Sequence, residues 1–88
     1  MRLSKEKRQK IQEQIISYLL DIYPQARFTA EIAREVARDE EFCLNLLRDL
    51  ENKKILSKVI KNPKGSMYVR RIRWRLSTQA HSSYQQAQ

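Results

Sequence analysis

Apolar residues recur at helical spacing through the first quarter of the chain. They form one stripe along the predicted helix, in which neighbouring members are mostly three or four residues apart: Ile11, Ile15, Tyr18, Leu19 and Ile22. This is the period of one buried face of an α-helix. Ser4 precedes the pattern as an N-cap, and Pro24 follows it, since the residue before a proline avoids helical backbone angles. The pattern predicts a first helix from about Ser4 to Ile22.

Two shorter helices are predicted next. Thr29 is the expected N-cap of a second helix over Ala30–Ala37, whose inner face would hold Ile32, Ala33 and Val36. A third helix is predicted from about Glu40 to Lys53, with Asp39 as its N-cap. Its inner face would hold Cys43, Leu47 and Leu50, with Leu46 beside them.

After Lys54 the period of the pattern changes to two, which is typical of strands. A strand over Ile55–Lys61, a type I turn over residues 62–65 and a return strand over Met67–Leu76 together predict a β-hairpin. A short strand near Arg27–Phe28 would join it. On the return strand one face would carry Tyr68, Ile72, Trp74 and Leu76, and the other Val69, Arg71, Arg73 and Arg75.

The composition fits one small domain and excludes several classes of protein. The chain has 88 residues, with a single glycine, a single cysteine and a single histidine. One glycine excludes the glycine-rich phosphate loops, and Cys43 and His81 alone make neither an intramolecular disulfide nor a zinc site. No cofactor and no enzymatic activity are expected, because no nucleophile has a histidine partner. We expect a domain over residues 1–76 and a disordered polar tail over residues 77–88, in which His81 and Tyr84 have no role.

The location of the protein is predicted from the same composition. No apolar run approaches the roughly 20 residues of a membrane-spanning helix. The basic N-terminus is not followed by the apolar stretch of a signal peptide. The lone cysteine favours a reducing, cytoplasmic environment.

The charge is distributed unevenly along the chain. The net charge is +8, and residues 55–88 alone contain seven basic and no acidic side chains. Residues 29–54 contain five basic and seven acidic side chains. Solvated faces usually mix both signs, so a region without carboxylates favours a negatively charged partner. The competing interpretation is an exposed strand edge that lysine and arginine protect from aggregation.

Three helices followed by a hairpin, in this order, resemble a winged helix-turn-helix. The residues that carry the resemblance are Ile32-Ala33 on the second helix, Cys43, Leu47 and Leu50 on the third, and Leu50-Glu51 leading to Ile55-Leu56 at its exit. The chain is similar to small archaeal and bacterial transcription regulators of that superfamily over roughly Ile11 to Leu76. It departs from them at Ala37 and Lys54, where glycines are frequent. The resemblance implies an α+β, mainly helical fold and binding to double-stranded DNA.

The predicted phosphate contacts lie mainly in the hairpin, which is the wing of the resembled fold. They are Lys58, Lys61, Lys64, Arg70, Arg71, Arg73 and Arg75, joined by Lys5 and Arg8 at the start of the first helix. Alternate arginines on a strand stand about 6.6–6.8 Å apart, close to the spacing of phosphates along a nucleic-acid strand. By position, Asn45 and Arg48 on the third helix are the expected base contacts, since Asn pairs with adenine and Arg with guanine.

Two other functions remain open at this stage. Phe42 and Leu44 could contact a protein partner, which would make the chain an interaction module. The basic hairpin would also suit structured RNA, and nothing in the sequence reads the 2′-hydroxyl. Winged helix regulators often dimerise, and the apolar first helix is the candidate surface for a homodimer.

Overall fold

The computed structural model describes residues 4–60 and 72–86. Its helices are α1 (Lys5–Asp21), α2 (Thr29–Glu35), α3 (Glu40–Asn52) and α4 (Thr78–Gln86). Its strands are β1 (Arg27–Phe28), β2 (Leu56–Ile60) and β3 (Ile72–Leu76). They pair antiparallel in the order β1-β3-β2. The three predicted helices and the short strand at Arg27–Phe28 are confirmed, as are the paired strands over residues 56–60 and 72–76. The predicted turn and the rest of the predicted return strand lie outside the described residues.

The starts of α1 and α3 have the predicted caps. The Ser4 hydroxyl accepts a hydrogen bond from the Lys7 backbone N–H at 3.3 Å, and the Asp39 carboxylate accepts one from the Phe42 N–H at 3.2 Å. These bonds satisfy amides that have no partner within the helix.

The predicted cap of α2 is wrong. Thr29 is the first residue of the helix, and Phe28 occupies the N-cap position. The Glu31 carboxylate accepts a hydrogen bond from the Phe28 backbone N–H at 2.9 Å. The Thr29 hydroxyl is instead buried and accepts a hydrogen bond from the indole of Trp74, so it is not available to cap the helix.

The sheet covers one side of the helices with alternate residues of β3. Ile72, Trp74 and Leu76 are buried, while Arg73 and Arg75 between them are half-buried, as the period of two predicts. The core that they enter is formed mainly by α1, α2 and α3. Its members are Ile11, Ile15, Leu19, Ile32, Leu46, Leu47, Leu50, Leu56, Ile72, Trp74, Leu76 and Ala80.

Among residues 4–60 and 72–86, two have left-handed backbone angles without being glycine. They are Ala37, with φ of 56°, after α2 and Lys54, with φ of 64°, after α3. These are the two positions where the resemblance placed glycines. A Cβ atom makes this conformation unfavourable, so each turn retains local strain that the surrounding packing must offset.

The prediction of a disordered tail is wrong for residues 78–86, which form α4. Ser77 starts this helix: its hydroxyl accepts a hydrogen bond from the Ala80 N–H at 3.0 Å and donates one to the Lys54 carbonyl at 2.9 Å. Ala80 is buried, which anchors the helix on the core. The polar composition of this segment gave no indication of these contacts. The division of the chain at residue 76 stays a prediction.

Aromatic side chains complete the attachment of α4. The rings of Tyr23 and His81 stack with centroids 3.7 Å apart and planes inclined by 9°. Tyr84 is half-buried and packs against the core. The two residues that the sequence left without a role therefore hold α4 against the rest of the domain.

Candidate nucleic-acid interface

The outer face of the sheet carries two of the predicted arginines. Arg73 lies opposite Val59 of β2 and Arg75 lies opposite Ser57. Residues directly opposite in an antiparallel pair share a face, and that face points away from buried Trp74. Both guanidinium groups therefore stand on the side of the sheet that does not pack on the helices.

Arg73 has an aromatic neighbour that the sequence did not reveal. Phe28 of β1 lies opposite Arg73 in the register of the sheet. The guanidinium carbon of Arg73 stands 4.6 Å from the centroid of the Phe28 ring, within the range of a cation–π contact. The register of a two-residue strand cannot be read from sequence, so no pattern indicated this pair.

Lys58, a predicted phosphate contact, lies on the other face of the sheet. It is opposite Trp74, and its ammonium stands 5.9 Å from the indole centroid. The same ammonium forms an ion pair with Glu51 of α3 at 3.3 Å. Its charge is thus partly compensated inside the protein, and a contact with phosphate would compete with this ion pair.

The exposed face of α3 carries the two predicted base contacts. Asn45 and Arg48 are both exposed. Asn52 is exposed one turn further on, and its distance of seven residues from Asn45 places it on the same face. Asn52 was not among the predicted contacts, although its helical spacing from Asn45 and Arg48 indicates it.

The first turn of α3 has the opposite electrostatic character. Asp39, Glu40 and Glu41 are exposed there. Carboxylates suit the positive end of a helix dipole but repel phosphate. The end of α3 that follows Asn45 is therefore the part that could approach a polyanion.

Phe42 and Leu44, the candidate protein contacts, are half-buried and pack against the core. Part of each side chain is already used to stabilise the fold. The area that either could offer to a partner is correspondingly reduced.

Near the start of α1, Lys5 is exposed and Arg8 is half-buried. Arg8 contributes to a cluster at Asp49 of α3. The Gln12 amide donates a hydrogen bond to Asp49 Oδ2 at 3.0 Å, and Lys53 forms an ion pair with the same oxygen at 3.2 Å. The hydrogen bonds from Gln12 and then Lys53 lower the pKa of Asp49 below its ordinary value of 3.8, and the charge of Arg8 acts in the same direction.

Gln12 also ties α1 to α3 through the backbone. It is buried, and its amide donates to the Leu46 carbonyl at 3.4 Å as well as to Asp49. Gln12 was not predicted to have a role, since a glutamine beside the apolar stripe of α1 does not indicate which residue it contacts. The bond fixes the helix that carries Asn45 and Arg48.

Four predicted contacts, Lys61, Lys64, Arg70 and Arg71, lie outside the described residues.

Within the described part of the chain, no group of three or more His, Cys, Asp or Glu side chains could hold a metal ion. The buried Cys43 thiol has its pKa raised above the ordinary 9.0, mainly by burial, so it stays protonated near neutral pH. Over the described ranges, no helix is long and apolar enough to cross a membrane.

No family model and no curated protein matches the sequence. Solved structures do match the fold. The DNA complex of MepR from S. aureus has a TM-score of 0.72 and 23% identity, over 93% of this chain and 64% of that one. A MepR mutant from a multidrug-resistant S. aureus clinical isolate has a TM-score of 0.69 and 23% identity, over 88% of this chain and 53% of that one.

A mutant of ZitR from Lactococcus lactis, in its apo form, has a TM-score of 0.69 and 18% identity, over 93% of this chain and 57% of that one. The chain therefore spans about half to two thirds of the length of the proteins it matches. The chain shares the fold of these proteins, and the predicted α+β, mainly helical winged-helix fold is confirmed.

Proposed function

We propose that this chain binds double-stranded DNA as a winged-helix transcription regulator in the cytoplasm. The observation that carries the proposal is the outer face of the sheet. Arg73 and Arg75 project from alternate positions of β3, away from the core, within a stretch of the chain that has no carboxylate. A protein of the same fold, MepR, is known in complex with DNA.

In this proposal the phosphates and the bases are contacted by different elements. Arg73 and Arg75, with Lys61, Lys64, Arg70 and Arg71, would hold the backbone of the duplex and supply most of the affinity. Lys5 and Arg8 would add contacts at the start of α1, although Arg8 also faces Asp49. Lys58 would contribute only after releasing Glu51.

The sequence preference would come from the exposed face of α3. Asn45 could make paired hydrogen bonds with adenine, and Arg48 with guanine. Asn52 adds a third polar side chain to that face. Because the first turn of α3 is acidic, we expect few base contacts and a modest preference. Two chains bound to two half-sites would increase it, and a homodimer is part of the proposal.

Competition between duplex DNA and duplex RNA distinguishes the proposed function from RNA binding. A labelled random duplex of 25 base pairs is titrated with the protein at two salt concentrations, and unlabelled duplex DNA or duplex RNA is then added at equal salt. Neutralising about five phosphates gives a slope of log affinity against log salt of about −4 to −5. Displacement by DNA at lower concentration than by RNA supports the proposal, and the reverse order would transfer the function to RNA.

The protein-interaction alternative is tested at Phe42 and Leu44. Replacing both by Ser should leave the salt-dependent binding of duplex DNA in place, and loss of a protein partner by that variant would favour the interaction module. Since both side chains pack on the core, the thermal midpoint of the variant is measured first and the titration is made below it.

A further inference from the structure

The contact between Phe28 and Arg73 connects the edge of the sheet to the proposed binding surface. Phe28 is the N-cap residue of α2, and its backbone N–H donates to Glu31 Oε1 at 2.9 Å. It is also paired with Arg73 across β1 and β3. The aromatic ring is therefore attached to two elements at once, which restricts where it can lie.

Arg73 is held from both sides on the outer face of the sheet. Phe28 lies opposite it on β1 and half-buried Val59 lies opposite it on β2. Among the ion pairs of the described residues, none involves Arg73. The guanidinium thus lies against the Phe28 ring and is not neutralised by a carboxylate in that part of the chain.

A guanidinium that lies against an aromatic ring keeps its N–H groups in the plane of the group, where they can still donate. A planar fork of donors fits the paired oxygens of a phosphate. An unsupported arginine must lose rotamer freedom when it binds, and a supported one has already lost part of it. The contact with Phe28 therefore orders the Arg73 side chain before a phosphate binds.

We propose that Phe28 is a positioning residue for nucleic-acid binding, and that its ring holds the Arg73 guanidinium ready for a backbone phosphate. This inference rests on the proposed function and adds to it a residue with no charge and no hydrogen-bonding side chain. It also distinguishes Arg73 from Arg75, which lies opposite Ser57 and, over the described strands, has no aromatic neighbour in the sheet register.

The test is a double-mutant cycle on the full chain with random duplex DNA of 25 base pairs. The variants are Phe28→Leu, Arg73→Ala and the two combined, with Phe28→Tyr as the conservative variant that keeps a ring. Phe28→Leu should weaken binding by about two- to fivefold, the effect expected for an exposed cation–π contact, and Phe28→Tyr should restore it.

Two readouts separate positioning from a general structural effect. Phe28→Leu keeps every charge, so its salt slope should equal that of the wild type, whereas Arg73→Ala should make the slope less negative by about 0.9. Phe28→Leu should also have no further effect once Arg73 is absent. Thermal midpoints for all variants ensure that binding is compared between folded proteins.

Three results would overturn the inference. One is an equal loss from Phe28→Leu in the presence and absence of Arg73, which would assign Phe28 to the fold alone. Another is unchanged affinity in Phe28→Leu when Arg73→Ala weakens binding. The third is unchanged affinity in Arg73→Ala while the wild type binds DNA, which would leave the proposed function standing without this site. Absence of binding by the wild type would instead reject the proposed function.

Discussion

The indole Nε1 of Trp74 donates a hydrogen bond to the Thr29 hydroxyl at 2.9 Å, inside the core. Trp74 is fully buried, and Thr29 is 3% exposed. The bond joins β3 to the first residue of α2 and satisfies the one polar atom of the largest core side chain. It holds β3, and with it Arg73 and Arg75, in register against the helices.

Replacing Thr29 by Val should destabilise the fold by about 1–3 kcal/mol, because the indole N–H would stay buried without an acceptor. Thr29→Ser keeps the hydroxyl and should retain the bond, at the smaller cost of a lost methyl group. Chemical denaturation measures both. Equal stability of Thr29→Val and the wild type would show that the indole finds another partner.

The two left-handed turns should be improved by glycine. Ala37→Gly and Lys54→Gly should each raise the free energy of unfolding by about 0.5–1 kcal/mol, since relief of strain exceeds the entropy that glycine adds to the unfolded chain. The control is Ala30→Gly, at an exposed position inside α2. There glycine should lower the free energy of unfolding, and a gain at Ala30 equal to that at Ala37 would contradict the explanation.

The cluster at Asp49 should make stability depend on acid pH. Asp49 has a pKa below 3.8 in the folded protein, so its protonation favours unfolding. The stabilisation is present above the ordinary pKa and is lost as the pH falls through the folded one. Gln12→Met removes the largest cause of the shift and should move the Asp49 titration, followed by carboxyl NMR, to higher pH. An unchanged titration would mean that Gln12 does not donate to this carboxylate in solution.

The stack of Tyr23 and His81 should stabilise α4 locally. His81→Ala should speed amide hydrogen exchange in residues 78–86 by about two- to tenfold, which is the effect of losing an aromatic contact of about 0.5–1.5 kcal/mol. Ser82→Ala changes an exposed neighbour on the same helix and should leave exchange unchanged. Equal rates in the two variants would show that the ring of His81 does not hold α4.

N-cap residues and hydrophobic periodicity predicted most of the helices and strands. They did not predict the contacts between elements that are distant in sequence. Ser4, Asp39 and the alternation of β3 are local signals, and the structure agrees with each. The start of α4 depends on Ser77 bonding to the Lys54 carbonyl, 23 residues away, which a polar composition does not indicate. Local sequence patterns do not indicate a hydrogen-bond partner at that distance along the chain.

The candidate site shows the same division. Alternation placed Arg73 and Arg75 on the outer face, as observed. The same alternation, counted from buried Leu56, would have placed Lys58 on the inner face with Trp74, where the structure has it. The ring under Arg73 comes from β1, whose two residues carry no pattern of their own. Register, and not composition, therefore decides which basic residues are available to a ligand.

The central claim is that the outer face of β3 binds phosphates, and the most direct test is the salt dependence of duplex binding by an Arg73→Ala, Arg75→Ala double variant. The matched control removes two exposed charges outside the proposed site, as Arg34→Ala with Arg38→Ala. Loss of two phosphate contacts should make the slope of log affinity against log salt less negative by about 1.8 in the arginine variant, for every duplex sequence, with little change in the control. Slopes that match the wild type, or that change equally in both variants, would contradict the assignment of phosphate binding to this face.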